Sequence, residues 1–261
     1  MVFMKKKEII ICSSIIMSCL LLIYFYYENT TLQITNYSIS SSKIPNEFND
    51  YKIIQISDYH NERSNRLNKF LIEKLKNEKP DIIVITGDFI DPNRMHMEQS
   101  INFVKEIKGI APIYYVSGNH EAKISNYEEW KNLLEEQGVI ILENETKIIE
   151  KENSKINIIG INDPKMAHEK SVKNSTIINK ELEISNYNKD LFSILLSHRP
   201  EVFRTYVENN IDLITLKNDE LEVVVSNYGC TLVKVLMKDQ AGNVDDVVLG
   251  YDDFKSYQTL D

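Results

Sequence analysis

Four short blocks of this chain set metal-ligating side chains in order: Asp58-Tyr59-His60, Gly87-Asp88-Phe89-Ile90-Asp91, Gly118-Asn119-His120-Glu121 and Ser197-His198-Arg199-Pro200. Asp58 and His60 stand two residues apart, so on extended chain they would project to one side, where a carboxylate and an imidazole could share a divalent ion. Asp88 follows a glycine that leaves room beside it, and its two oxygens could bridge two cations. Asn119 offers a neutral oxygen ligand, while His120 beside it could give a proton or a hydrogen bond to a departing alkoxide. His198 adds a further imidazole. Each block alone has an ordinary reading as well: Gly-Asp at a strand end is most often a turn, Asp91 could cap a helix, and a lone strand-end histidine is usually structural. Thiolate chemistry is excluded, because Cys12 and Cys19 fall in one apolar stretch and Cys230 stands apart, so any metal must rely on N and O ligands.

The elements that would hold these blocks alternate along the chain. Lys52–Ser57, Asp81–Thr86, Ile113–Ser117, Lys155–Ile159 and Phe192–Ser197 are short Ile/Val-rich runs with polar borders, the pattern of buried strands. Between them Leu67, Phe70, Leu71 and Leu75, then Ile101, Val104 and Ile107, then Tyr127, Trp130, Leu133 and Leu134 recur at helical spacing and predict core-facing helices. This alternation predicts an α/β sheet, a fold class that places its sites at the carboxyl ends of strands. Every block falls just after a predicted strand.

Length and charge frame the rest. The chain has 261 residues, enough for one medium domain plus extras, and a formal net charge of -9, which argues against a nucleic-acid backbone as partner. Ile9–Tyr27 carries no charged residue and is close to the ~20 residues of a membrane-spanning helix. Lys5, Lys6 and Lys7 precede it and Glu28 follows it, so residues 1–8 are expected in the cytoplasm, 9–27 as a single-pass cell-membrane anchor, and the remainder outside the cell. A cleaved signal peptide is the alternative, but the run outlasts a usual signal core and lacks a small-x-small site. Residues 28–50 read as a stalk rich in Ser, Thr, Asn and Pro.

In order, spacing and strand-end placement, the four blocks resemble the calcineurin-like metallophosphoesterases. The likeness is strongest to the membrane-associated bacterial subgroup, whose signature runs Asp-x-His, Gly-Asp-x-x-Asp, Gly-Asn-His-Glu/Asp, His and finally Gly-His-x-His. It covers roughly Lys52 to Ile214 and includes Gln55-Ile56-Ser57-Asp58, Pro80-Asp81-Ile82-Ile83 and Gly160-Ile161-Asn162-Asp163. The resemblance implies an αββα sandwich over residues 51–214 that hydrolyses a phosphomonoester or phosphodiester, lipid-linked where an anchor is present, through a hydroxide held between two divalent ions. By the same resemblance Asp58 and His60 bind the first ion, Asp88 bridges both, Asn119 and His198 bind the second, and His120 serves the leaving oxygen. Asp91 and Glu121 stand behind these ligands. Mn, Fe and Zn all suit such donors.

The last block of that signature is missing. Ile211-Asp212-Leu213-Ile214 matches the strand that precedes it, but Thr215-Leu216-Lys217-Asn218 follows, and no histidine lies beyond His198. Each ion would lose one imidazole, so reduced metal occupancy and impaired activity are expected, with an inactive metal- or phosphate-binding remnant as the alternative. His96 and His168 are the remaining histidines that could replace them. Leu216-Lys217-Asn218, Ser226 to Leu232 and Asp246 to Tyr251 resemble the start of the aldose 1-epimerases, over residues 215–261. That family's catalytic residues lie farther along its sandwich, which leaves at most a carbohydrate-binding fragment. A phosphoesterase joined near Ile214 to an epimerase start is therefore expected, with its sheet cut short and an unsatisfied edge.

Overall fold

Isoleucine- and valine-rich segments with few turn residues form the strands, and they assemble into two sheets. The computed structural model describes residues 6–217, except 31–33, 38, 40, 94–96 and 170, together with the backbone of strands at 221–226, 232–238 and 244–246. The first sheet has the order β1 (Ile53–Ile56), β2 (Ile82–Thr86), β3 (Ile113–Val116) and β4 (Ile140–Ile141), and all its pairings are parallel. Helices α2 (Asn65–Glu78), α3 (Met97–Ile107) and α4 (Tyr127–Glu136) cross between these strands. The second sheet is mixed. It begins with the antiparallel hairpin β5 (Glu145–Lys151) and β6 (Ser154–Gly160), then adds β7 (Ser193–Leu196) and β8 (Leu213–Lys217) in parallel. Helices α5 (Asn174–Ser185) and α6 (Phe203–Glu208) lead into these last two strands.

Strand periodicity sorts the core into layers, because successive side chains face opposite ways. Ile83, Ile85, Ile113 and Tyr115 pack on one face of the first sheet with Leu75, Val104, Ile107, Trp130 and Leu134 of the helices. Ile82, Val84, Tyr114 and Val116 on its other face meet Ile156, Ile158, Ile194 and Leu196 of the second sheet. Behind that sheet Ile159, Leu195 and Ile214 pack on Ile178, Leu182 and Tyr206. The order is helix, sheet, sheet, helix, as the resemblance implied. Trp130 is fully buried, and its indole N–H donates to Ser100 Oγ at 2.9 Å, so the largest core side chain leaves no donor without a partner.

Three expectations change. Helix α1 (Lys6–Thr30) forms where the apolar run lies, but among the described residues no helix is long and apolar enough to cross a membrane. The single-pass anchor expected over residues 9–27 is therefore not supported among the described residues. The stretch expected as a stalk is partly docked: Phe48 is buried between the sheets with Ile39 and Ile44 against it, and Lys43 pairs with Asp212 at 3.0 Å. The unsatisfied edge is also absent at β8. Strand β9 (Leu221–Ser226) pairs with it antiparallel, from Leu213↔Ser226 to Lys217↔Glu222, and β10 (Leu232–Lys238) and β11 (Val244–Asp246) extend the sheet. A β-rich tail of any origin can satisfy a strand edge, since ladder hydrogen bonds involve backbone alone.

One buried acid in the outer layer sets a pH dependence. Glu181 of α5 is buried; loss of hydration, then the nearby Asp163 carboxylate, push its carboxyl up to about 8. A raised folded-state value means the associated stability is fully present below the unfolded value near 4.5 and is lost as pH rises through about 8. Glu181→Gln is expected to flatten the fall in thermal stability between pH 5 and 8, by on the order of 3 kcal/mol. Melting curves of the metal-free protein across that range check it.

Candidate metal centre

The chain leaves each parallel strand through a loop that carries one ligand block, and the loops from both sheets meet at one end of the sandwich. Asp58 and His60 follow β1, Asp88 follows β2, Asn119 and His120 follow β3, and His198 follows β7. Strand β1 stops at Ile56, however, and Asp58, His60 and Asn61 adopt φ values of 55°, 48° and 52°. The pleat spacing that predicted a shared side for Asp58 and His60 therefore does not operate here. A left-handed turn aims them instead, fixed by backbone bonds from Asp58 N to Gly87 O (3.2 Å), His60 N to Asp88 O (3.1 Å) and Asn61 N to Phe89 O (3.2 Å). Asp88 has φ 49° as well. Backbone in this sparsely occupied region costs about 1 kcal/mol or more per non-glycine residue and collects at functional sites.

Asp88 is the hub. Its Oδ1 accepts from the backbone N–H of His120 at 2.8 Å, and its Oδ2 lies 3.3 Å from His198 Nε2, 3.7 Å from His120 Nε2 and 3.4 Å from the donating Asn119 Nδ2. Burial alone would raise the Asp88 carboxyl, but hydrogen bonding and charge from His198, reinforced by His120, hold it down to about 2. Burial likewise opposes charge on His198, yet Asp88 and then Asp58 raise it to about 9. His198 Nδ1 lies 2.7 Å from the carbonyl oxygen of Thr86, which accepts a hydrogen bond from Nδ1–H and leaves Nε2 facing the carboxylates, the arrangement typical of a metal-ligating imidazole.

Donor atoms gather in two groups of three within 4.8 Å of one another: Asp58, Asp88 and His198, and His60, Asp91 and His120. This is not the partition the resemblance implied, where Asp58 goes with His60. His60 Nε2 does lie 3.8 Å from Asp58 Oδ1, so the two groups adjoin. Carboxylate, imidazole and amide donors without sulfur fit a divalent Mn, Fe or Zn ion. His168 is exposed and belongs to neither group, and His96 lies outside the described residues. So do Asn218 to Glu220, at the place of the missing block.

Several supporting groups were not evident from spacing. Glu121 is wholly buried and accepts from the backbone N–H groups of Asp88 (3.0 Å), Phe89 (2.8 Å), Ile90 (3.3 Å) and Gly118 (2.8 Å), tying two ligand loops to one carboxylate. Burial and then the Asp88 charge raise it to about 7, against the pull of those amides. Gly87 has φ 86°, and a side chain there would stand 2.7 Å from Gly118 Cα and 2.8 Å from His198 Cγ. Asp163 and Arg199 form a pair beside the centre. Gly87, Glu121 and Arg199 stood in the ligand blocks and Asp163 closed a later strand run, but spacing showed none of the contacts they make.

Comparison with known proteins gives the family. The sequence profile of the family described as calcineurin-like phosphoesterase matches residues 51–232, and that of aldose 1-epimerase matches residues 212–261. A Bacillus subtilis protein described as an uncharacterized metallophosphoesterase, YkoQ, is 31% identical over 58% of this chain and 53% of its own length. An uncharacterized metallophosphoesterase of Aquifex aeolicus is 26% identical over 81% of this chain and 78% of its own. A Danio rerio protein named as a transmembrane protein with a metallophosphoesterase domain is 22% identical over 69% and 42%. This chain thus spans about half the length of several curated relatives. Among solved structures, that of Thermus thermophilus TT1561 shares the fold, with a TM-score of 0.53 at 14% identity over 75% of this chain and 97% of that one.

Proposed function

Because this chain belongs to the calcineurin-like phosphoesterase family, we propose that it hydrolyses a phosphomonoester or phosphodiester with the aid of divalent metal ions held by Asp58, His60, Asp88, Asn119 and His198. The observation that carries the proposal is the convergence of Asp58, Asp88 and His198 donor atoms, from loops of both sheets, within 4.8 Å. When bound, the ions would neutralise phosphate charge and supply a nucleophile from water at neutral pH. The chain's own groups do the rest. Asp88 holds the point where both sheets meet, and Thr86 fixes the His198 ring. His120, whose Nε2 lies 3.7 Å from Asp88 Oδ2 and whose Nδ1 lies 3.7 Å from Asp91 Oδ1, would by the family likeness give a proton to the leaving oxygen. Phosphoryl transfer handled this way needs no Ser or Cys nucleophile.

A second reading has its own observation. No histidine follows His198, so the Gly-His-x-His ligands are absent and a metal- or phosphate-binding protein without turnover is the alternative. We take residues 51–214 as the phosphoesterase part; β9 to β11 extend its sheet, which speaks against a separate sugar-binding unit. The full-length protein, assayed with a bis-aryl phosphodiester and Mn²⁺ or Zn²⁺, is expected to turn over, and Asp88→Asn to lower the rate at least ~10³-fold. Bound metal without turnover in the wild type selects the second reading.

A further inference from the structure

We propose that Arg199 and Asp163 are a positioning pair that locks the His198 loop of one sheet to the Asn119 loop of the other. The proposal rests on the metal-centre reading above. Arg199 immediately follows His198; its Nη2 donates to Asp163 Oδ1 at 2.8 Å and its Nε lies 2.5 Å from Oδ2. Side-chain exposure is 12% for Arg199 and 0% for Asp163, so the pair is shielded from solvent on the acid's side. Asp163 continues the link. Its backbone N–H donates to Ser117 Oγ at 3.1 Å, and Ser117 Oγ donates to Asn162 Oδ1 at 2.9 Å. Ser117 immediately precedes Gly118 and Asn119. Backbone and side chains thus run without a gap from His198 in the loop after β7, through Asp163 and Asn162 in the loop after β6, to the ligand loop after β3.

The other side of the His198 loop is clasped too, since Tyr206 Oη donates to Arg199 O at 3.0 Å and shares a 2.8 Å hydrogen bond with Ser197 Oγ. The Arg199 guanidinium is engaged by Asp163 and Glu201, which sets it apart from an arginine free to bind phosphate. A planar fork held by one buried carboxylate has a fixed geometry, and such a pair contributes more to placement than to stability. Because Asn119 and His198 both reach Asp88 Oδ2, their relative position decides whether one ion can contact both.

The test uses the full-length protein with the double substitution Asp163→Asn/Arg199→Met, which removes both charges and avoids stranding one, and with Arg199→Lys, which keeps the charge but not the fork. In metal-free protein, amide hydrogen exchange at 116–121 and 196–200 is expected to accelerate at least about tenfold in the double variant and less in Arg199→Lys, while 82–86 and 101–107 stay unchanged. Mn²⁺ affinity should weaken about 10- to 100-fold. Unchanged exchange at 116–121, or equal acceleration everywhere, overturns the proposal. If exchange responds as expected but the wild type binds no Mn²⁺, the pair stands and the metal-centre reading fails. If the wild type binds and hydrolyses while 116–121 is unmoved, the converse holds.

Discussion

Gly118→Ala is expected to abolish metal binding and hydrolysis while the sandwich stays folded. A Cβ at Gly118 would lie within 3.0 Å of Asp88 Oδ1, Cγ and backbone N. Asp88 cannot retreat, since the His120 amide holds its Oδ1 at 2.8 Å and Glu121 holds its backbone N–H at 3.0 Å. Overpacking of this kind costs about 1 to 3 kcal/mol, which a domain of this size survives. The centre does not survive it. A shift of about 1 Å in a ligand can cost ~10²-fold in rate, and here the shifted residue is the one that His198, His120 and Asn119 all contact. Calorimetric titration with Mn²⁺ and the phosphodiester assay measure both losses. Gly109→Ala is the control: a Cβ there meets nothing within 4 Å, and no change is expected. Retained Mn²⁺ binding in Gly118→Ala would show that Asp88 is not the hub.

Glu121→Ala is expected to reduce both stability and metal affinity. It would leave the N–H groups of Asp88, Phe89, Ile90 and Gly118 without their shared acceptor in a buried place. An unsatisfied buried donor costs about 1 to 3 kcal/mol, and with water partly filling the space the sum should be on the order of 3 kcal/mol. That corresponds to a melting point lower by roughly 10 °C. Glu121→Gln should lose less, because one oxygen can still accept while the amide nitrogen faces donors. Thermal melts of metal-free variants rank the two, and equal melting points for wild type and Glu121→Ala would refute the clamp.

Much of this was legible in the sequence. Ile82–Thr86 and Ile113–Val116 become buried parallel strands where apolar runs end in Gly-Asp and Gly-Asn, because side-chain periodicity and turn chemistry are local properties. Legibility failed where local pattern and backbone path diverge. Asp58 and His60 share a side through positive φ values that spacing does not encode. Glu121 looked like one more acid behind a ligand block, and only its burial against two loops reveals the clamp. The tail looked like an open edge, and β9 closes it.

By itself the sequence determined the family, the ligand types, their placement at strand ends and the absence of a Gly-His-x-His block, since each depends on residue identity and short-range order. Only the tertiary structure decided which donors meet. His198 comes from a different sheet than Asp58 and Asp88, and the contacts that set them together, through Thr86, Asp163, Arg199 and Glu121, join residues far apart in the chain. Such contacts depend on how the two sheets pack across Val84, Val116, Ile158 and Leu196, a long-range property that no spacing along the chain records.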